Sequence, residues 1–218
     1  GIGSSSAISS ALIRAINKYF DIQQTNEKML DSALTLHNIK QNSLGSGLDV
    51  IASSLDSGLI ECDIEEARQN KWTKLEWPSD LLIKGVITSE HSNTKEMIEK
   101  YLDAYTNDKE FFSALKADAD LILEKLSLSW KSKDSKAILR LMDQYSILMQ
   151  QLDEKYHIGI YTEEHQALAN LTSKSGLLYK PSGAGGGDLG FILTNNDMKL
   201  KRFIVKLKDN NFQTLDLI

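Results

Sequence analysis

Between two short apolar runs, Leu177 to Lys180 and Leu189 to Leu193, the chain reads Lys180-Pro181-Ser182-Gly183-Ala184-Gly185-Gly186-Gly187-Asp188. Runs of that length, bounded by turn residues, predict two strands joined by a loop. A tight connection needs only one or two glycines, and every further glycine enlarges the entropy of the unfolded chain. Something else must require so much bare backbone. Successive exposed N–H groups form a concave nest for an anion, and Lys180 adds a point charge beside it. A plain solvent-exposed hairpin loop is the alternative reading. On the C-terminal side, the spacing predicts a helix over Asp197–Lys208 and a last strand over Phe212–Leu217. On the N-terminal side it predicts a helix over Glu163–Ser175 that stops at Gly176.

The rest of the chain alternates in the same mixed manner. Ala7, Ile8, Ala11, Leu12, Ala15, Ile16, Tyr19 and Phe20 recur at helical spacing and predict a first helix buried along that stripe. A second helix is expected over Asn26–Lys40, and a stub over Leu48–Leu55. Strands are expected near Gly58–Cys62, Thr73–Trp77 and Leu81–Thr88. From Asn93 to Gln151 the pattern is helical, with Leu121, Ile122, Leu126, Ile138, Leu139, Met142, Tyr145, Leu148 and Met149 as expected core positions. This order is α+β. Trp72, Trp77 and Trp130 read as packing residues, because no basic patch interleaves them.

Composition narrows the function classes. With 218 residues, 41% of them apolar and 25% charged, the chain can bury one large core or two small ones. A formal charge of −5 and the absence of a dense basic cluster argue against nucleic acid or an anionic membrane as partner. Cys62 is the single cysteine, so an internal disulfide and a cysteine-based zinc site are both excluded, which suits a reducing compartment such as the cytoplasm. His37, His91, His157 and His165 have no ligand spacing. No apolar run approaches a membrane span. Acidic charge without a long apolar patch predicts a monomer or weak homodimer.

Two further segments have chemical content. Gly1-Ile2-Gly3-Ser4-Ser5-Ser6-Ala7 runs straight into the first helix, whose start offers unpaired N–H donors and the positive end of a dipole. Its hydroxyls could bond phosphate oxygens or complete the shell of a Mg²⁺ ion at a nucleotide, or merely cap the helix. The chain opens inside this loop without a methionine, so residues are expected to precede Gly1. In Gly45-Ser46-Gly47-Leu48-Asp49-Val50 a carboxylate follows a flexible turn at a helix start. Asp49 could take a proton from a substrate or compensate a metal, and the alternative is a first-turn aspartate with no chemistry. No Walker-type phosphate loop and no Gly-x-Ser-x-Gly elbow is present.

In order and separation these three motifs resemble those of the GHMP kinase superfamily, named for galactose, homoserine, mevalonate and phosphomevalonate kinases. Such kinases carry Gly-Leu/Ile-Gly-Ser-Ser before a helix, Ser-Gly-x-Asp, and a late Gly-Ala-Gly-Gly-Gly loop, here Gly1 to Ser5, Ser46 to Asp49 and Gly183 to Gly187. Asp188 after the loop, and His37 with Gln41 ahead of the second motif, are most similar to phosphomevalonate kinases. The resemblance implies a GHMP kinase fold lacking the N-terminal part of its ATP-binding domain, with residues 1–70 as the remainder of that domain and 71–218 as a C-terminal ferredoxin-like α/β sandwich. It also implies transfer of the γ-phosphoryl group of ATP to 5-phosphomevalonate, with ATP and Mg²⁺ as cofactors. Gly1, Gly3, Ser4, Ser5 and Ser6 would cradle the ATP phosphates, with Ser5 a Mg²⁺ ligand. Asp49 and Lys180 would be the catalytic pair. Ser46, Gly183, Ala184, Gly185, Gly186, Gly187 and Asp188 would bind substrate phosphate. The family's N-terminal strands, adenine segment and early lysine are missing here, and Gly85 to Thr94 lacks the family's glycine after Thr88. Another GHMP kinase acting on mevalonate or a sugar, and a catalytically silent ligand-binding or regulatory protein of this fold, are the competing readings.

Overall fold

The computed structural model describes residues 3–41, 47–54, 59–62 and 72–217. The chain forms two compact units, one over Gly3–Glu76 and one over Trp77–Ile218.

The first unit holds α1 (Ser4–Tyr19), α2 (Asn26–Gln41), α3 (Leu48–Ser54) and a small antiparallel pair, β1 (Leu59–Glu61) with β2 (Thr73–Leu75). Its core gathers Leu30, Ala33, Val50 and Ile51, with Ile13, Leu34 and Trp72 packed around them. The stripe expected to bury α1 does not do so: Ile8 is 61% exposed, Tyr19 82% and Phe20 66%, and Leu12 and Ile16 also face outward. Ser6, Ser9 and Ser10 are buried instead, and Ser10 Oγ lies 2.8 Å from Ser54 Oγ of α3. Periodicity establishes which residues share a face but not which face is covered. Here the small serine face lets α1 approach α2 and α3 closely, and the apolar face is left outside.

The second unit is built on a four-stranded antiparallel sheet of β3 (Leu82–Ile87), β4 (Leu178–Pro181), β5 (Leu189–Thr194) and β6 (Gln213–Asp216), in the order β4-β5-β3-β6. Chain order and sheet order together give the ferredoxin-like topology, with helices between β3 and β4 and between β5 and β6. The helical stretch after β3 is not continuous. It divides into α4 (Thr94–Asn107), α5 (Lys109–Lys131) and α6 (Ser135–Tyr156), because Asp108 ends one helix and caps the next through the Phe111 N–H, while Asp134 caps α6 through Lys136 and Ala137. Asp108 also accepts from Lys155 Nζ at 2.8 Å and Tyr156 Oη at 2.7 Å, and these hydrogen bonds, Lys155 foremost, lower its pKa to about 2. Next come α7 (Glu163–Ser173) and α8 (Asp197–Asp209), capped by Thr162 and Asn196.

Both faces of the sheet are covered, which is why β5 reads as an unbroken apolar run. On one side Tyr179 and Ile192 pack with Val86 against Leu168 of α7 and Leu200, Phe203 and Leu207 of α8. On the other, Leu178 and Leu193 pack against Ile138 of α6, with Leu126, Met142 and the Trp77–Trp130 pair around them. Leu121, expected in the core, is 51% exposed on α5, one face of which α6 leaves open. Among the described residues no helix is long and apolar enough to cross a membrane.

Candidate functional site

In the first unit, the start of α1 and the start of α3 lie side by side. Gly3 caps α1 in the left-handed conformation, φ 67°, and contributes no side-chain cap. A side chain at Gly3 would meet Asp49 Cβ at 3.5 Å. Asp49 stands in the first turn of α3 with its side chain 44% exposed. Two hydrogen bonds orient it, and a histidine lies close by. The Val50 N–H donates to Oδ1 at 3.0 Å, the Ser6 hydroxyl donates to Oδ2, and His37 Nε2 lies 3.9 Å from Oδ1. His37 is fully buried, and its Nδ1 lies 3.3 Å from Ser6 Oγ. Ser6, expected among the phosphate-binding serines, is itself fully buried and tied to Asp49 and His37. Gly1 and Ser46 lie outside the described residues, as do the side chains of Ser4, Ser5 and Gln41.

In the second unit the glycine loop joins β4 to β5, and three of its glycines press against neighbouring backbone. A Cβ on Gly185 would fall on the Ile160 carbonyl, one on Gly187 on the Glu90 carbonyl, and one on Gly186 would come within 2.7 Å of Met97 Sδ. All three have positive φ. The bare backbone is thus required first by packing, which motif reading alone did not anticipate. The Gly185 N–H donates to the Ser182 carbonyl and the Gly186 N–H to the Ile160 carbonyl, both at 3.0 Å, and the Asp188 N–H to the Glu90 carbonyl at 2.7 Å. Among the described residues the N–H groups of Gly183, Ala184 and Gly187 make no backbone hydrogen bond. Gly183 differs from the other three: its φ is +59° and no atom lies within 4 Å of where a Cβ would be.

Gly183 and Lys180 open onto one cavity of about 160 Å³, lined also by Tyr145, Met149, Ile160 and Tyr161. The Lys180 ammonium donates to the Pro181 carbonyl at 3.1 Å, and burial pushes its pKa down. Burial likewise raises Tyr145 and Tyr161, so both phenols stay protonated donors near neutrality. A cation and open amides beside aromatic and apolar walls suit a small anionic molecule with an apolar body. Asp188 closes the loop and faces His91 Nδ1 at 3.1 Å. Among the described residues no cluster of three or more acidic, histidine or cysteine side chains could hold a metal alone. A Mg²⁺ ion carried on nucleotide phosphates needs only one or two carboxylates, and the accessible Asp49 fits that requirement.

Sequence reasoning did not find the Ser6–His37–Asp49 linkage, nor Asp153 and Glu164, which hold the loops on either side of the glycine loop. The only signal for Asp153 was its place in the last turn before His157-Ile158-Gly159, where a helix must end.

No curated protein matches the chain significantly in sequence. Solved structures do match in fold. A Lin0012 protein from Listeria innocua superposes with a TM-score of 0.86 at 19% identity, over 99% of this chain and 65% of that one. The mevalonate kinase of L. major, in complex with R-mevalonate, gives 0.79 at 20% identity, over 99% and 66%. The phosphomevalonate kinase of Streptococcus pneumoniae, in complex with phosphomevalonate and AMPPNP, gives 0.76 at 16% identity, over 100% and 69%. The chain therefore spans about two thirds of the length of these structures. At these identities the likeness is one of fold, shared with the two kinases just named. More narrowly, it is the GHMP kinase fold, and residues 1–57 match the family described as GHMP kinases N terminal domain.

Proposed function

We propose that the protein to which this chain belongs transfers the γ-phosphoryl group of ATP to a small phosphorylated alcohol, most readily 5-phosphomevalonate. The observation that carries this reading is the cavity in which the Lys180 ammonium and the open Gly183 backbone face apolar and aromatic walls. Phosphoryl transfer asks for positioning and charge neutralisation more than covalent help, and the residues present supply donors of both kinds. Lys180 and the N–H groups of Gly183 and Ala184 would hold substrate phosphate. The start of α1, with Gly1 to Ser5, would cradle the nucleotide phosphates. Asp49, together with Ser5, would hold Mg²⁺, which supplies neutralisation of the phosphate charge when bound. Ser6, itself held by His37 Nδ1, would keep the Asp49 carboxylate in one orientation. A phosphate monoester is largely ionised near neutrality, so the acceptor would need no general base and Asp49 would be left to the metal. In this reading residues 1–70 complete a nucleotide-binding domain and 71–218 form the C-terminal domain.

The test is an ADP-release assay on the full-length protein with Mg-ATP, offering phosphomevalonate, mevalonate and a sugar panel in parallel, with the Asp49→Ala variant beside it. Turnover confined to phosphomevalonate and lost in Asp49→Ala is the expected result. Turnover on mevalonate or a sugar would discard the substrate and keep the kinase reading. Binding of nucleotide without turnover on any acceptor would discard the kinase reading.

A further inference from the structure

The glycine loop is held by two flanking loops, and each flanking loop is held by one carboxylate that does not touch the glycine loop itself. After α6, the residues leading to Thr162 turn on His157, in the left-handed conformation at φ 51°, and Gly159, at φ 92°. Asp153, in the last turn of α6 and 9% exposed, accepts the Gly159 N–H on Oδ1 at 2.6 Å and the Tyr161 N–H on Oδ2 at 2.7 Å. Ile160 lies between those two amides, and its carbonyl receives the Gly186 N–H. On the opposite flank, Glu164 in the first turn of α7 accepts the Ser89 N–H on Oε2 at 2.6 Å and the Ser89 hydroxyl on Oε1 at 2.9 Å. The next residue, Glu90, receives the Asp188 N–H on its carbonyl. Each carboxylate thus positions one carbonyl against which one glycine packs, Ile160 against Gly185 and Glu90 against Gly187.

We propose that Asp153 and Glu164 are positioning residues that set the geometry of the glycine loop, and with it the direction of the open N–H groups at Gly183 and Ala184. The inference rests on the kinase reading only for its kinetic consequence. A loop with four consecutive-region glycines at positive φ has little stiffness of its own, so its shape is imposed by what it packs on. Neither carboxylate is among the residues that line the cavity, so two such anchors can do this without competing for a ligand there.

The two carboxylates are used differently, and that difference makes the test specific. Both oxygens of Asp153 face backbone N–H groups, which can only donate. Asn at this position would turn an NH₂ toward one of them, so Asp153→Asn breaks one bond and opposes two donors. One Glu164 oxygen faces a hydroxyl, which can accept as well as donate, so Glu164→Gln can keep both bonds while Glu164→Ala keeps neither.

In the full-length protein, hydrogen exchange of the peptide covering residues 182–189 should accelerate by about tenfold or more in Asp153→Asn and in Glu164→Ala. Glu164→Gln and Glu163→Gln, which remove one charge from the same turn of α7, should exchange as the wild type does. With the acceptor found in the panel above, kcat/KM should fall by about tenfold in the two disrupting variants and stay within about twofold in the two glutamine variants. Unchanged exchange in both Asp153→Asn and Glu164→Ala would overturn the proposal. So would faster exchange with unchanged kcat/KM, since the loop would then not be positioned for the ligand. So would equal loss in Glu164→Gln and Glu164→Ala, which would make charge the cause. If Asp153→Asn does not fold, the Glu164 pair decides. If no acceptor is turned over by the wild type, the kinase reading fails while exchange still decides whether the two carboxylates fix the loop.

Discussion

Lowering the pH toward about 5.5 should destabilise this protein through His165 before carboxylates dominate. His165, on α7, is fully buried, with Nδ1 2.6 Å from the hydroxyl of Tyr179 on β4, and both belong to the packed side of the sheet beneath α7 and α8. Burial, only partly opposed by the Gly187 backbone, holds its pKa below the ordinary value of 6.5. A proton is therefore bound more readily by the unfolded chain than by the folded one at every pH between the lowered value and 6.5. Stability contributed by the neutral ring is complete above the unfolded pKa and declines as pH falls through it, until the folded pKa is reached. The slope cannot exceed about 1.4 kcal/mol per pH unit, so from about pH 7 to about pH 5.5 this one group removes at most about 1.3 kcal/mol. For a chain of this size that is a fall in Tm of about 2–5 °C. Thermal unfolding of the wild type and His165→Gln across this pH range measures it, since glutamine can keep a hydrogen bond to Tyr179 but cannot titrate. Subtracting the variant's pH dependence from the wild type's should leave the predicted loss. Parallel pH profiles for the two proteins would refute the reasoning.

Ser6→Ala should cost about 1–3 kcal/mol by leaving the buried His37 Nδ1 without its hydroxyl neighbour, and urea unfolding will show it as a lowered midpoint with unchanged slope. Two substitutions in the glycine loop should differ although both place a side chain at positive φ. Gly185→Ala must also displace the Ile160 carbonyl and should lower Tm strongly, whereas Gly183→Ala meets only open space and should cost about 1 kcal/mol while weakening binding of phosphate-bearing ligands, as calorimetry would report. Lys180→Met removes an ammonium that burial disfavours and should raise Tm while lowering affinity for an anionic ligand; a lower Tm would mean that the bond to the Pro181 carbonyl outweighs desolvation.

Much of the fold is visible in local pattern. The alternation of 2-residue and 3.6-residue periods places β3, β5, α2 and α8 within a residue or two of their observed ends, because each of these elements is closed by a signal in its own sequence, such as Asn196 before α8. Within the Asn93–Gln151 stretch the breaks were available in Asp108 and Asp134, which are helix caps with the ordinary chemistry, but a continuous apolar period concealed them. The burial of α1 was not available, since Ser6 and Ser9 tell nothing of α3 until the two helices meet. The glycine motif was legible because backbone conformation restricts the residue that occupies it. Its supports were not, because Ser89 and Glu164 are 75 residues apart and a carboxylate that receives distant amides looks like any surface acid in sequence. Ser6 and His37, 31 residues apart, escaped for the same reason.

The outward row on α1 bears on how such a chain behaves in a tube. Ile8, Leu12, Ile16, Tyr19 and Phe20 form a greasy ridge on a polypeptide whose formal charge is −5. Charge repulsion of that size is modest and is screened within about 10 Å at ordinary ionic strength. Added salt therefore strips away the force keeping two ridges apart and strengthens the one drawing them together. Wherever no further segment of the protein covers that ridge, added sulfate should favour association of these 218 residues and dilute, low-salt buffer should oppose it.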